Sequence, residues 1–152
     1  MQGTVCGFPG PFGSGAGFPA IPIKIVREDV RLTLAESIHK KTLFLQKLSE
    51  VLELQRISIL NQRAEKLTNQ DNFEKKFDLV TAKALGKLKD IVRLSRRFLK
   101  TGGLLLAYKG KGVKKEVDEI GSLRNCRIRE MVKVKLSEVD LLRWLVVVEK
   151  VG

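Results

Sequence analysis

At 152 residues, with 43% hydrophobic and 30% charged residues, the chain is long enough for one domain with a real core and too apolar to be disordered. Lys plus Arg is 29 against 17 for Asp plus Glu, a formal charge of +12, which calls for a polyanionic partner (nucleic acid or an anionic membrane) or else marks a generally solvated basic surface. Cys6, Cys126 and the single His39 have no metal-ligand spacing, no apolar run nears the roughly 18 residues of a membrane helix, and 6% aromatics is poor material for a single-strand stacking platform.

Residues 1–12 are rich in Gly and Pro without periodicity, and an irregular leader is expected there, followed by one domain over 13–152. Gly13-Ser14-Gly15-Ala16-Gly17-Phe18-Pro19 then sets three glycines at alternate positions ahead of Ala20–Val26, which can start a helix. Glycine accepts φ > 0 and has no Cβ, so such a turn lets backbone approach a nucleotide-type cofactor; a flexible leader has the same composition. Phe18 stands where the dinucleotide fingerprint wants Gly or Ala, and an S-adenosylmethionine loop suits the spacing better.

Arg31–Glu36 alternates like a strand and ends at an acid. Ile38–Leu54 is predicted helical, with Phe44, Leu48 and Val51 as one apolar row, Leu45, Leu48 and Leu52 as another, and Ser37 as N-cap. Ile57–Asn61 is a strand, 68–76 a loop, and Phe77–Lys83 a mostly apolar strand fit for a parallel sheet. A helix from Leu88 should stop near Lys100 at Gly102-Gly103. Strand Leu104–Tyr108, a short helix Lys114–Ile120, and strands Glu130–Leu136 and Trp144–Glu149 complete the chain. Ser137–Leu142 is too short for a crossover, so the last two strands should pair antiparallel. The fold class is α/β, a doubly wound, mostly parallel sheet closing in an antiparallel hairpin.

Several words occur together in this order: Gly13–Pro22, Leu34-Ala35-Glu36-Ser37, Lys40-Lys41, Phe44-Leu45, Arg63-Ala64-Glu65, Phe77–Ala84, Gly102–Gly110 and Arg143–Val147. From about Gly13 to Lys150 the chain resembles the bacterial small-subunit (16S) ribosomal RNA guanine-N7 methyltransferases, the glucose-inhibited division protein B family. The resemblance implies a Rossmann-like class I fold, S-adenosyl-L-methionine as cofactor, small-subunit ribosomal RNA as substrate and a cytoplasmic setting. It also implies roles. Gly13, Gly15, Gly17 and Phe18 would border the methionine part of the cofactor. Glu36 would accept hydrogen bonds from the ribose, or serve as a helix N-terminal acid. Ala64 and Glu65 would border the adenine, or cap a helix. Lys83, where the family usually has arginine, Lys109 and Arg143 end or begin strands at the ligand-binding edge. All three would hold substrate phosphates or the target guanine, Lys83 also bordering the cofactor, or be solvated strand-end bases. His39 and Asp78 receive no role. Guanine N7 already presents a lone pair, so positioning, not a strong base, should supply most of the rate.

The chain departs from that family at its start. Pro11 stands where an acid should precede Gly13, and residues 1–12 do not read as the apolar first strand, so that strand is expected to be missing or degenerate and the copy N-terminally truncated. A cofactor pocket built that way should bind weakly. The competing functions are therefore a non-catalytic basic RNA-binding remnant and, disfavoured by Phe18, a nicotinamide-linked oxidoreductase.

Overall fold

The computed structural model describes residues 4–8, 17–83, 86–121, 123–136 and 141–152. In chain order these form β1 (Thr4–Phe8), α1 (Ala20–Val26), β2 (Arg31–Ala35), α2 (His39–Val51), β3 (Ile57–Leu60), α3 (Ala64–Leu67), β4 (Phe77–Lys83), α4 (Leu88–Phe98), β5 (Leu99–Lys109), α5 (Val113–Ile120), β6 (Cys126–Leu136) and β7 (Leu141–Lys150). The strands make one seven-stranded sheet in the order β3-β2-β1-β4-β5-β7-β6. β1 to β5 are parallel, and β7 lies antiparallel between β5 and β6.

The first strand is present, contrary to expectation. Thr4–Phe8 pairs with β2 on one side and β4 on the other, Gly7 lying between Leu34 and Thr81. A central strand needs only main-chain donors and acceptors from its glycine, and partners on both edges outweigh a weak local pattern. Pro11, Gly13 and Gly15 lie outside the described residues.

Two apolar layers flank the sheet. On one face Val80, Ala82, Leu105, Ala107, Val146 and Val148 meet α4 and α5 through Ile91, Val92, Phe98, Val113 and Ile120. On the other, Leu32 and Leu34 meet Ala20 and Ile21 of α1 and Leu45 of α2. The rows expected on α2 are only partly buried: Leu45 is inaccessible, but Phe44 and Val51 remain 51% and 67% exposed. The rotation of α2 is fixed by Thr42, whose hydroxyl lies within hydrogen-bond reach of the Glu36 and Ile38 carbonyls and accepts from Asn61 Nδ2 at 3.0 Å. Ser37 is not the N-cap; Ile38 holds that place, and its N–H donates to Glu36 Oε1 at 2.8 Å.

Two buried lysines hold main-chain carbonyls, one in the α1–β2 connection and one at the end of α4. Lys24, buried at the end of α1, donates to the carbonyls of Glu28 and Val30. Lys150, at the end of β7, donates to those of Arg96 and Leu99, using carbonyls that the C-terminus of α4 leaves open. α4 runs into β5 with no loop. Leu99 pairs with Phe77, the chain bulges, and pairing resumes at Leu104 with Leu79. Gly102-Gly103 forms this bulge rather than the helix stop. Gly102 has φ +79°, and a Cβ on Gly103 would lie 2.9 Å from the Lys100 carbonyl.

Candidate active site

The C-terminal ends of the parallel strands, where open α/β sheets bind ligands, bring together most of the residues singled out from the sequence. Gly17 opens the turn into α1, its carbonyl accepting from Ile21 N–H at 2.8 Å. It has φ +76°, and a Cβ there would run into the Ile21 side chain, so glycine is required by both backbone and packing. Pro22 falls in the first turn of α1, where amides have no helical partner to lose.

Glu36 follows β2 directly. It is 3% exposed; Oε1 is engaged by Ile38, and Oε2 is buried with no hydrogen-bond partner among the described residues. A carboxylate oxygen left this way costs free energy until a donor reaches it. The Glu36 carbonyl accepts from Asn61 Nδ2 at 3.0 Å, which ties the end of β2 to the end of β3. Ala64 and the exposed Glu65 open α3 just after β3, on the same edge. Asn61 and Thr42 carry no sequence signal beyond their polarity, and their part in aligning Glu36 appears only in three dimensions.

Lys83 ends β4 with its Nζ 4.8 Å from the centre of the Phe18 ring, and Phe18 meets Tyr108 edge to face at 5.9 Å. Lys83 pairs in register with Tyr108, so both point to the α1 side of the sheet. Burial pushes the Tyr108 phenol above its usual range, which keeps it protonated at neutral pH.

Lys109 points the other way. Its side chain is 11% exposed, and its ammonium is 2.9 Å from Glu116 Oε2 and donates to the Gly86 carbonyl. The same Glu116 oxygen accepts the N–H of Leu88 at the start of α4. Lys109 therefore braces β5, α5 and the β4–α4 connection. Arg143 is exposed on β7 beside Gly110, whose Cβ would sit 3.8 Å from its guanidinium. Because Lys109 pairs with Trp144, the adjacent Arg143 lies on the opposite face, so Lys109 and Arg143 do not converge. His39 is exposed, and Asp78 pairs with Lys100 at 2.8 Å; neither joins the site.

Among the described residues no group of three His, Cys, Asp or Glu side chains could hold a metal, and no helix is long and apolar enough to cross a membrane. The orphaned Glu36 oxygen and the glycine-requiring turn fit a nucleoside cofactor with ribose hydroxyls to donate.

The family model for rRNA small subunit methyltransferase G (GidB) matches residues 12–141. A ribosomal RNA small subunit methyltransferase G of Caldanaerobacter subterraneus is 38% identical over 145 residues, 91% of this chain and 59% of that protein. The chain thus spans about three-fifths of the length of such relatives. An rRNA methylase of Streptococcus thermophilus superposes with a TM-score of 0.69 at 16% identity, covering 99% of this chain and 88% of that one. A P. horikoshii protein solved in complex with MeSAdo gives 0.69 at 11% identity, covering 97% and 56%. These likenesses show the fold, a mostly parallel Rossmann-like methyltransferase sheet, and with the family match over most of its length the chain belongs to the rRNA small subunit methyltransferase G family.

Proposed function

We propose that the chain binds S-adenosyl-L-methionine and transfers its methyl group to guanine N7 of small-subunit ribosomal RNA. The observation that carries the cofactor reading is Glu36, a buried carboxylate with one oxygen engaged by backbone and the other in need of a donor. Ribose hydroxyls are donors of the right reach and polarity. Gly17, with Gly13 and Gly15 before it, would border the methionine part, together with Phe18; Ala64 and Glu65 would border the adenine, and Lys83 would close the rim through its contact with Phe18. The bound cofactor supplies an electrophilic methyl on a sulfonium. The chain's own residues orient the two reactants and need to move no proton to activate N7. Lys109 contributes by holding the edge in shape and Arg143 by its charge at the rim. With β1 seated between β2 and β4, one of the two reasons to expect a weak pocket, a missing first strand, is gone, and Pro11 in place of the acid is the other.

Calorimetry with S-adenosylmethionine, followed by methyl transfer to small-subunit ribosomal RNA with nucleoside analysis, tests the reading. Saturable binding and 7-methylguanosine are expected. Binding without methylation would favour the non-catalytic RNA-binding remnant, and no binding would overturn the cofactor assignment.

A further inference from the structure

A methyl group delivered at the C-terminal edge requires the polyanionic substrate to lie across that edge, and the inference here rests on the methyltransferase reading in that sense. The ammonium of Lys109 is committed to Glu116 and Gly86, so other cations must receive the phosphates. The register puts Lys109, Trp144 and Lys133 in one row across β5, β7 and β6. Opposed residues on neighbouring strands share a face, so the exposed Lys133 projects on the α5 side of the sheet, and Lys135, two places on, projects with it. Above the row, Lys114 on the first turn of α5 sets its Nζ 5.8 Å from the centre of the half-buried Trp144 ring. Lys111 and Lys115 flank the same turn, both exposed.

None of these five lysines has an acidic partner among the described residues. Some exposed cations elsewhere do, such as Lys100 with Asp78, Arg127 with Glu149, Arg27 with Asp29 and Lys47 with Glu50, whereas others, Arg31 and Lys76 among them, are in no ion pair among the described residues; the five are set apart by sharing one face beside the strand ends. Glu116 on α5 is occupied by Lys109, while Asp118 and Glu119 sit further along α5. Like charges on one face without counter-ions among the described residues repel one another and raise the local potential, which phosphates relieve. We propose that Lys133 and Lys135 of β6, with Lys111, Lys114 and Lys115 at the start of α5, form the phosphate track on which the RNA strand lies while its target base enters the pocket, Trp144 supporting Lys114.

Two variants remove separate parts of the track, Lys133→Gln/Lys135→Gln and Lys111→Gln/Lys114→Gln. A control, Arg31→Gln/Lys76→Gln, removes cations from the cleft lined by Arg31, Arg56 and Lys76, at the opposite edge. Filter binding of transcribed small-subunit ribosomal RNA over a salt series, with circular dichroism to establish folding, reads each one. Each track variant should flatten the log–log salt slope by about 1.4–1.8, from about 0.7–0.9 per lost contact, and the control by much less. S-adenosylmethionine affinity by calorimetry should be unchanged in all three. Parental slopes in both track variants, an equal loss in the control, or no RNA binding by the parent would overturn the track. Failure of the parent to bind S-adenosylmethionine would instead remove the methyltransferase reading, with the salt slopes still judging the surface.

Discussion

Glu36 and Lys109 stand at the ends of two parallel strands of the same sheet, one after β2 and the other closing β5, and their surroundings are opposite. Glu36 is the more deeply buried, yet one of its oxygens has no partner among the described residues. The Lys109 ammonium is partly accessible, yet it is held by a carboxylate and a carbonyl that the fold itself supplies. A buried acceptor with capacity left over is a place for a ligand, whereas a donor already bonded within the chain braces the structure. Strand-end charge alone does not distinguish the two cases; unspent hydrogen-bonding capacity does.

The comparison breaks most readily at Glu36. Glu36→Ala should lower S-adenosylmethionine affinity about ten- to hundredfold, or about 1.5–3 kcal/mol for hydrogen bonds to a charged group, as read by calorimetry. Unfolding without ligand should change less, because the substitution also removes an unsatisfied buried atom. Equal affinity in mutant and parent would take Glu36 out of the pocket. Glu116→Ala should do the reverse. It strands the Leu88 N–H and the Lys109 ammonium, so urea unfolding should show a loss of about 1–3 kcal/mol with cofactor affinity nearly unchanged. A Lys109→Ala/Glu116→Ala cycle with no coupling energy would mean the contact is not a brace.

Gly17→Ala sharpens the description of the turn between them. The left-handed backbone should cost about 1–2 kcal/mol, before Ile21 has to move. A thermal midpoint equal to that of the parent would show that the turn relaxes freely. The smallest effect belongs to Lys100→Ala. Its ion pair with Asp78 is as short as the one at Lys109, but both side chains are over 40% exposed. Solvent screening should hold the change in stability to about 0.5 kcal/mol or less. A larger loss would weaken the view that enclosure, rather than pairing, makes Lys109 structural.

The order of elements from β2 to β7, except the single-turn α3, was legible because each carries a local signal. Phe77–Lys83 is continuously apolar, as a strand covered on both faces should be, and the short 137–142 connection admits only an antiparallel return. β1 was not legible, since its place is decided by the two strands that enclose it rather than by its own residues. The rotation of α2 was misread because Phe44 and Val51 satisfy the apolar period as well as Leu45 does, and the choice was made by the Asn61–Thr42 bond. At the site, the position of Glu36 could be read from its strand end, but its half-satisfied state could not. The meeting of Lys109 and Glu116 depends on how α5 folds back over β5, which no spacing in the sequence encodes. Gly13 and Gly15 lie outside the described residues, so the roles proposed for them rest on the resemblance to the family.

The cap that Lys150 places on α4 also bears on the order in which the protein assembles during synthesis. Its ammonium reaches the carbonyls of Arg96 and Leu99 from more than fifty residues further along the chain. While the protein is being made, α4 can form and pack on β4 and β5, but its C-terminal end stays open to water until β7 has been made and inserted. Because β7 enters between β5 and β6, that insertion completes the sheet and closes the helix in one event. The nascent chain therefore has a late step in which a strand, a sheet edge and a helix end are secured together, and a ribosome stalled before that strand emerges would display a domain with one helix unlatched.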